Sequence, residues 1–270
     1  LARNGRSKPV LAFVPRLRDR PVERFGPLDF FGQDPYKDTM RALITNDDGI
    51  EADGLAALIR LAEDYFEEIW VVAPMTQMSE IGHRVTTQET IRYEERGERR
   101  FAIGGTPADC ARVALAHLMP EKPDWILSGI NHGGNLGRHD FVISGTVAAV
   151  REAAFAGIRG VAFSHFMKRG NPLDWDRAAK WAGLGFESLM NEETARGDFW
   201  TVNLPHPGPG DSEPVVQRCE QERHPLLVAY EAVGENEVQY VGDYHDRPRQ
   251  AGSDVDVCFS GNIAVSKASV

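Results

Sequence analysis

The chain predicts an α/β fold built around a mostly parallel sheet and followed by a strand-rich C-terminal segment. Two observations predict it. From Met40 onward, short apolar runs alternate with amphipathic stretches of helical period, the pattern that strand–helix crossovers leave in a sequence. After residue 204 the helical stretches give way to strand-like pieces separated by Gly, Pro and charged turns.

The elements follow in order. Residues 1–39 show no sustained period, mix charges of both signs and contain five prolines, so they read as an extension, poorly ordered or upstream-derived, with Met40 a natural start for the folded part. Residues 40–270 then form a single domain, divided into a core over 40–204 and the C-terminal segment over 205–270. The apolar residues 42–45 read as a buried first strand, and Leu55, Leu58, Ile59, Ala62 and Phe66 recur at helical spacing. A second strand covers residues 69–73, and a polar hairpin follows over 85–101. Thr106-Pro-Ala-Asp109 supplies an N-cap, a proline at the first helical position and a carboxylate at the third, opening a helix that runs to about Leu118. A third strand over 125–128 leads into a glycine-rich loop over 129–145. Next come a helix over 146–156, a strand over 161–164, a helix over 175–190 and a strand over 199–204. In the C-terminal segment, residues 238–241 and 255–259 read as strands.

Bulk composition narrows the function classes. With 270 residues, 42% of them hydrophobic, the chain can bury a sizeable core. A formal charge of -10 argues against sequence-tolerant nucleic-acid binding, which depends on Lys and Arg neutralising phosphates. Cys110, Cys219 and Cys258 are odd in number, widely spaced and without a CxxC pair, which fits a reducing, cytoplasmic setting better than a disulfide framework or a zinc site. No apolar run reaches the roughly 18–20 residues that span a bilayer, and the apolar stretch over 9–15 runs straight into Arg16-Leu-Arg-Asp-Arg20, so no membrane partner is expected.

In open α/β sheets ligands bind beyond the carboxyl ends of the strands, and the polar residues collect there. Asn46, Asp47 and Asp48 follow the first strand, Ser79 and His83 lie in the loop after the second, and Asn131 and Asn135 lie after the third. Two adjacent carboxylates at the end of an apolar strand repel each other and call for a positive partner. With a hydroxyl and an amide nearby, the donor set is all oxygen, which suits a hard divalent cation such as Mg2+, Mn2+ or Ca2+. Ser144, Gly145 and Thr146 precede a helix, where hydroxyls and free amide N–H groups suit either a helix cap or an anion such as phosphate. His83 is the residue type best suited to proton transfer, although a structural hydrogen bond serves equally well, and His132 and His139 either contact a ligand or face water.

These stretches resemble the SurE (survival protein E) family. The resemblance rests on Leu43-Ile-Thr-Asn-Asp-Asp-Gly-Ile50, Val71-Val-Ala-Pro74 with Ser79 and Gly82-His83, and Gly105-Thr-Pro-Ala-Asp-Cys110. Ser128-Gly-Ile-Asn131 with Asn135-Leu-Gly137, and Ser144-Gly-Thr-Val147, complete it in order. It implies a Rossmann-like three-layer core and a metal-dependent nucleotidase, hydrolysing nucleoside 5'- and also 3'-monophosphates by attack of metal-activated water. It further implies Asp47, Asp48, Ser79 and Asn131 as ligands of Mg2+ or Mn2+, with Asn135, Ser144, Gly145 and Thr146 on the phosphate. Asp47, Asp48 and His83 are the expected catalytic residues. A homodimer or tetramer joined through the C-terminal segment is implied as well. Met75 and Ile143 stand where the family often has an acidic residue and a tyrosine, a difference that bears on pocket polarity. Two other readings remain: a non-catalytic nucleotide- or metal-binding module, and an exopolyphosphatase-like activity. An aspartyl-phosphate phosphatase would need Asp-x-Asp, a spacing that Asn46 and Gly49 break.

Overall fold

Strand β1 (Arg41–Thr45) lies at the centre of the fold, with β2 (Glu68–Pro74) on one side and β5 (Trp125–His132) on the other, both parallel to it. A computed structural model describes residues 39–208 and 210–270; apart from Thr39, the extension expected over residues 1–39 lies outside them. Beyond β2 come β4 (Arg100–Ile103) and β3 (Tyr93–Gly97), the predicted hairpin; beyond β5 come β6 (Arg159–His165) and β7 (Asp198–Leu204). The sheet ends with β11 (Ile263–Ser269), antiparallel to β7, and β8 (Val216–Arg218), parallel to β11. Among the described residues this gives nine strands in the order β3-β4-β2-β1-β5-β6-β7-β11-β8, mostly parallel as the sequence predicts.

Alternation along β1 shows why both faces must be covered. Ala42 and Ile44 join one apolar cluster with Leu55, Leu58 and Leu61 of α1 (Asp53–Ala62) and Trp181 and Phe186 of α5 (Trp175–Met190). Leu43, between them, joins the opposite cluster with Cys110 and Ala111 of α2 (Pro107–Val113) and Val147, Val150 and Ala153 of α4 (Gly145–Phe155). A one-residue slip would exchange the two sets, so burial on both faces fixes the register. Three layers result. Helix α2 begins as its sequence dictates: Thr106 accepts from Asp109 N–H while Asp109 accepts from Thr106 N–H, a reciprocal cap, and the last turn to Leu118 is π-helical.

Three elements depart from the sequence expectation. Residues 255–259, expected as a strand, form α6 (Asp254–Phe259): Ser253 Oγ accepts from Asp256 N–H, and this cap outweighs the alternating Val-Asp-Val pattern. Strand β5 runs four residues past Ser128, because Gly129 at φ 130° lets the chain pass β6 and pair again at Asn131 and His132. The glycine-rich stretch also contains a short helix, α3 (Gly137–Ile143), with Ser144 closing it and opening α4. Strands β9 (Tyr230–Gly234) and β10 (Glu237–Tyr240) form a separate exposed hairpin.

Candidate active site

Crossovers leave β1 toward β2 on one side and arrive at β5 on the other, so the crevice at their carboxyl ends is the switch point where such sheets bind ligands. The turn after β1 is built locally. Buried Asn46 folds back on it, donating through Nδ2 to Gly49 O (2.8 Å) and accepting from Gly49 N–H (3.2 Å), so this amide braces the turn. Gly49 has φ 106° and passes 3.3 Å, measured from an ideal Cβ, from the backbone of Thr76, which favours a residue without a side chain.

The turn delivers Asp47 to the start of α4. Its carboxylate is 5% exposed and accepts a 2.6 Å hydrogen bond from Thr146 Oγ1. A Cβ on Gly145 would stand 3.0 Å from Asp47 Cβ and 3.2 Å from Oδ2, so glycine there is what lets the helix come so close. Ser144 takes the capping role, its Oγ accepting from Val147 N–H at 3.1 Å. The positive end of α4 therefore already faces a carboxylate of the chain itself. Burial raises the Asp47 carboxyl, the Thr146 bond opposes that rise, and the charge of Asp48 adds to it, leaving it at about 6.

Asp48 reaches the other way: its Oδ2 accepts from His132 N–H at 3.0 Å, joining β1 to the end of β5. Asn131, one residue earlier, donates from Nδ2 to Gly133 O (2.8 Å), and among the described residues no donor reaches its Oδ1. Met78 N–H donates to Asp47 O at 2.7 Å, which brings the loop carrying exposed Ser79 onto the same turn. Asn135 is held more firmly: its N–H and Nδ2 donate to Asn203 Oδ1 (2.9 Å) and Ser164 Oγ (2.8 Å). One amide hydrogen of Nδ2 is left. His83 has both ring nitrogens engaged, Nε2 donating to Glu152 (2.8 Å) and Nδ1 accepting from Arg151 (3.2 Å), so it fastens its loop to the flank of α4.

The donor set fits a hard cation. Asp47 is raised chiefly by burial and then by the charge of its neighbour, and the hydrogen bonds it and Asp48 receive come from a hydroxyl and backbone amides rather than from a cationic side chain. Positive charge is what the pair lacks. Among the described residues no three His, Cys, Asp or Glu side chains converge to hold a metal, which leaves an oxygen set of two carboxylates completed by hydroxyl and amide as the arrangement to consider.

Sequence reasoning missed the support beneath this loop. Buried Arg247 donates to Asp140 Oδ2 (2.9 Å) and Leu136 O (3.0 Å), and Tyr244 OH donates to the same Asp140 oxygen (2.7 Å). Asp254 accepts from Gly137 N–H (2.7 Å) and Glu222 N–H (2.8 Å). Burial works against the charge of Glu222, yet the N–H groups of His224 and Gln250 hold its carboxyl down at about 2. Asp140 in turn accepts Ser144 N–H through its backbone carbonyl at 2.9 Å, so the C-terminal segment bears on the cap of α4. Partners a hundred residues apart leave no local pattern to read.

Fold and site together define a doubly wound, Rossmann-like α/β protein with an acidic, oxygen-lined crevice at its switch point. The chain belongs to the SurE family: the family model described as Survival protein SurE matches residues 42–225. A protein of Synechocystis sp. named as a candidate 5'-nucleotidase is 48% identical over 231 residues, covering 86% of this chain and 100% of that protein. A 5'-nucleotidase SurE of Paramagnetospirillum magneticum is 32% identical over 232 residues, covering 84% and 89%. The crystal structure of SurE protein from Aquifex aeolicus superposes with a TM-score of 0.74 at 26% identity, over 85% of this chain and 93% of that one.

Proposed function

We propose that the chain is a metal-dependent phosphomonoesterase that hydrolyses nucleoside 5'-monophosphates, and 3'-monophosphates by the same chemistry, to nucleoside and phosphate. The observation that carries this is the Asp47 carboxylate, raised chiefly by burial and further by the charge of Asp48, and set against the first turn of α4. Asp47, Asp48, Ser79 and Asn131 would hold Mg2+ or Mn2+, which supplies charge neutralisation and a water of lowered pKa when bound.

The residues of the chain do the rest. Gly145 and Thr146 place the start of α4 against the metal-binding carboxylate, where the helix dipole favours the negative charge of a phosphoryl group. Asn135 offers its remaining amide hydrogen. Water adds to phosphorus as the ester P–O bond breaks, and the departing alkoxide takes up a proton. His83 can deliver that proton only by giving up its contact with Glu152 or Arg151. The relatives named 5'-nucleotidase support the substrate class.

The same reading takes the protein as a cytoplasmic homodimer or tetramer. Three free cysteines, two of them buried, suit a reducing compartment, and the exposed hairpin β9–β10 presents Tyr230, Val233, Val238 and Tyr240 for a partner copy. Light scattering on the purified protein measures the assembly directly.

The test is phosphate release from nucleoside monophosphates and p-nitrophenyl phosphate with EDTA, Mg2+ or Mn2+, for wild type and Asp48→Ala. We expect activity restored by metal and absent from the variant. A folded wild type that binds Mn2+ and nucleotide but releases no phosphate would make it a binding module instead, and release from polyphosphate alone would move the substrate class.

A further inference from the structure

His132 adjoins Asp48 and its ring leads on to Trp175, and the proposed chemistry leaves both rings unused. His132, whose N–H donates to Asp48, is exposed, and its ring centroid is 6.5 Å from that of Trp175 at 53°. Trp175 opens α5, and its ring is held on several sides. An ideal Cβ at Gly54 would stand 2.1 Å from Ile130 O and 2.9 Å from Trp175 Cη2, so glycine at the start of α1 makes room first for the end of β5 and then for the indole edge. Buried His165 meets it edge-on with centroids 6.3 Å apart at 83°, and His165 is itself fixed by an Nδ1–H bond to Phe166 O at 2.8 Å. Asp174 caps α5 by accepting Arg177 N–H at 3.0 Å, which sets the helix turn that carries the indole. Trp175 nevertheless remains only partly buried. A shallow, open depression lies beside it, lined also by Pro172, Leu173, Asp174, Asp176 and Arg177.

From this juxtaposition we infer that Trp175 is a nucleobase platform: the base of a bound nucleotide stacks on the indole, with His132 at its edge, while the phosphate lies at Asp47 and Asp48. The inference rests on the nucleotidase reading and adds to it the residue that separates nucleotides from plain phosphate esters. An aromatic face held rigidly loses little freedom when a base settles on it, and stacking accepts every base because each has a π-face. The platform therefore predicts preference for nucleosides over simpler alcohols without sharp choice among bases. A platform for the base acts on substrate binding, so Trp175 leaves the chemical step to the carboxylates.

The experiment compares wild type, Trp175→Phe and Trp175→Ala on adenosine 5'-monophosphate and on ribose 5-phosphate, which has the same ester but no base. Trp175→Ala is expected to raise KM for the nucleotide at least about tenfold, the order that loss of one base-stacking contact gives, with kcat nearly unchanged. KM for ribose 5-phosphate should stay within about twofold of wild type by the same stacking argument. Trp175→Phe should retain most of the nucleotide preference and serves as the folded control. Equal losses on both substrates, or no change on either, would overturn the platform. If wild type turns over neither compound, the nucleotidase reading fails by itself, and calorimetry with adenosine and metal-free protein decides the platform alone: binding weakened by Trp175→Ala upholds it, while no binding or equal binding overturns it.

Discussion

Thr146 Oγ1 donates to Asp47 Oδ1 at 2.6 Å, joining two positions 99 residues apart through one buried contact. The hydroxyl is the strongest of the contacts that offset the burial of this carboxylate, ahead of the backbone N–H groups of Asp47 and Thr146. Thr146→Val keeps the shape and removes the donor, so Asp47 should titrate still higher. A hydrogen bond to a buried charged group contributes about 1.5–3 kcal/mol, and support of a metal ligand is commonly worth ~10–100-fold in affinity. Calorimetric titration with Mn2+ should show a loss of that order, and the acid limb of the activity profile should move to higher pH.

Asp47 also makes stability depend on pH in an unusual direction. Its folded carboxyl sits at about 6, above its ordinary value of 3.8, so between those pH values the native state keeps a proton that the unfolded state has lost. Stability from this group is therefore present below the ordinary value and is lost as pH rises through about 6. Divalent metal, which needs the ionised form, should recover it. Thermal melts should show a larger stabilisation by Mg2+ or Mn2+ at pH near 7.5 than at pH near 5, both chosen to bracket the titration. An equal shift at both values would contradict the assignment of Asp47 as a ligand.

Two glycines test close approach separately from folding. Gly145→Ala puts a methyl 3.0 Å from Asp47 Cβ, so the carboxylate or the helix start must yield a few tenths of an ångström. Activity should fall at least about tenfold while the protein still folds, because small misplacements cost rate steeply. Gly129→Ala is harsher: φ is 130° and the methyl would lie 2.3 Å from Phe163 O, so soluble folded protein should be hard to obtain. Circular dichroism and phosphate release on both variants separate the two effects.

Arg247 and Asp140 form a buried pair at 2.9 Å, with side chains 1% and 7% exposed. Removing one partner strands the other charge, so Arg247→Met should destabilise by about 3–5 kcal/mol in denaturant melts. Pairing it with Asp140→Leu should restore part of that loss, a coupling visible in the double-mutant cycle. Additive losses would show that the two charges do not depend on each other.

The parallel core was legible because each strand's apolar residues serve two faces, as Ala42, Leu43 and Ile44 do, and because capping signals such as Thr106 with Asp109 act over three residues. Asp47, Asp48 and Ser79 were legible as candidates because they follow strands whose carboxyl ends must gather at one edge, and Asn131 because it lies at the carboxyl end of β5, although within the strand rather than after it. What local pattern cannot carry is choice of partner. Ser144 to Thr146 read as either a helix cap or an anion site, and only the structure shows that the Ser144 hydroxyl caps α4 while the Thr146 hydroxyl goes to Asp47. The bonds from Arg247 and Tyr244 to Asp140 span more than a hundred residues, and Val255 to Phe259 alternate like a strand while Ser253 caps them as a helix.

Strand β11 lies between β7 and β8, and β8 has no other neighbour in the sheet. Residues 216–218 leave the ribosome before 263–269, so they must wait for a partner made some forty-five residues later. During that interval β7 presents an unpaired edge. Slow synthesis across this stretch should prolong its exposure, and a nascent chain halted before Ile263 is where self-association and protease sensitivity should concentrate.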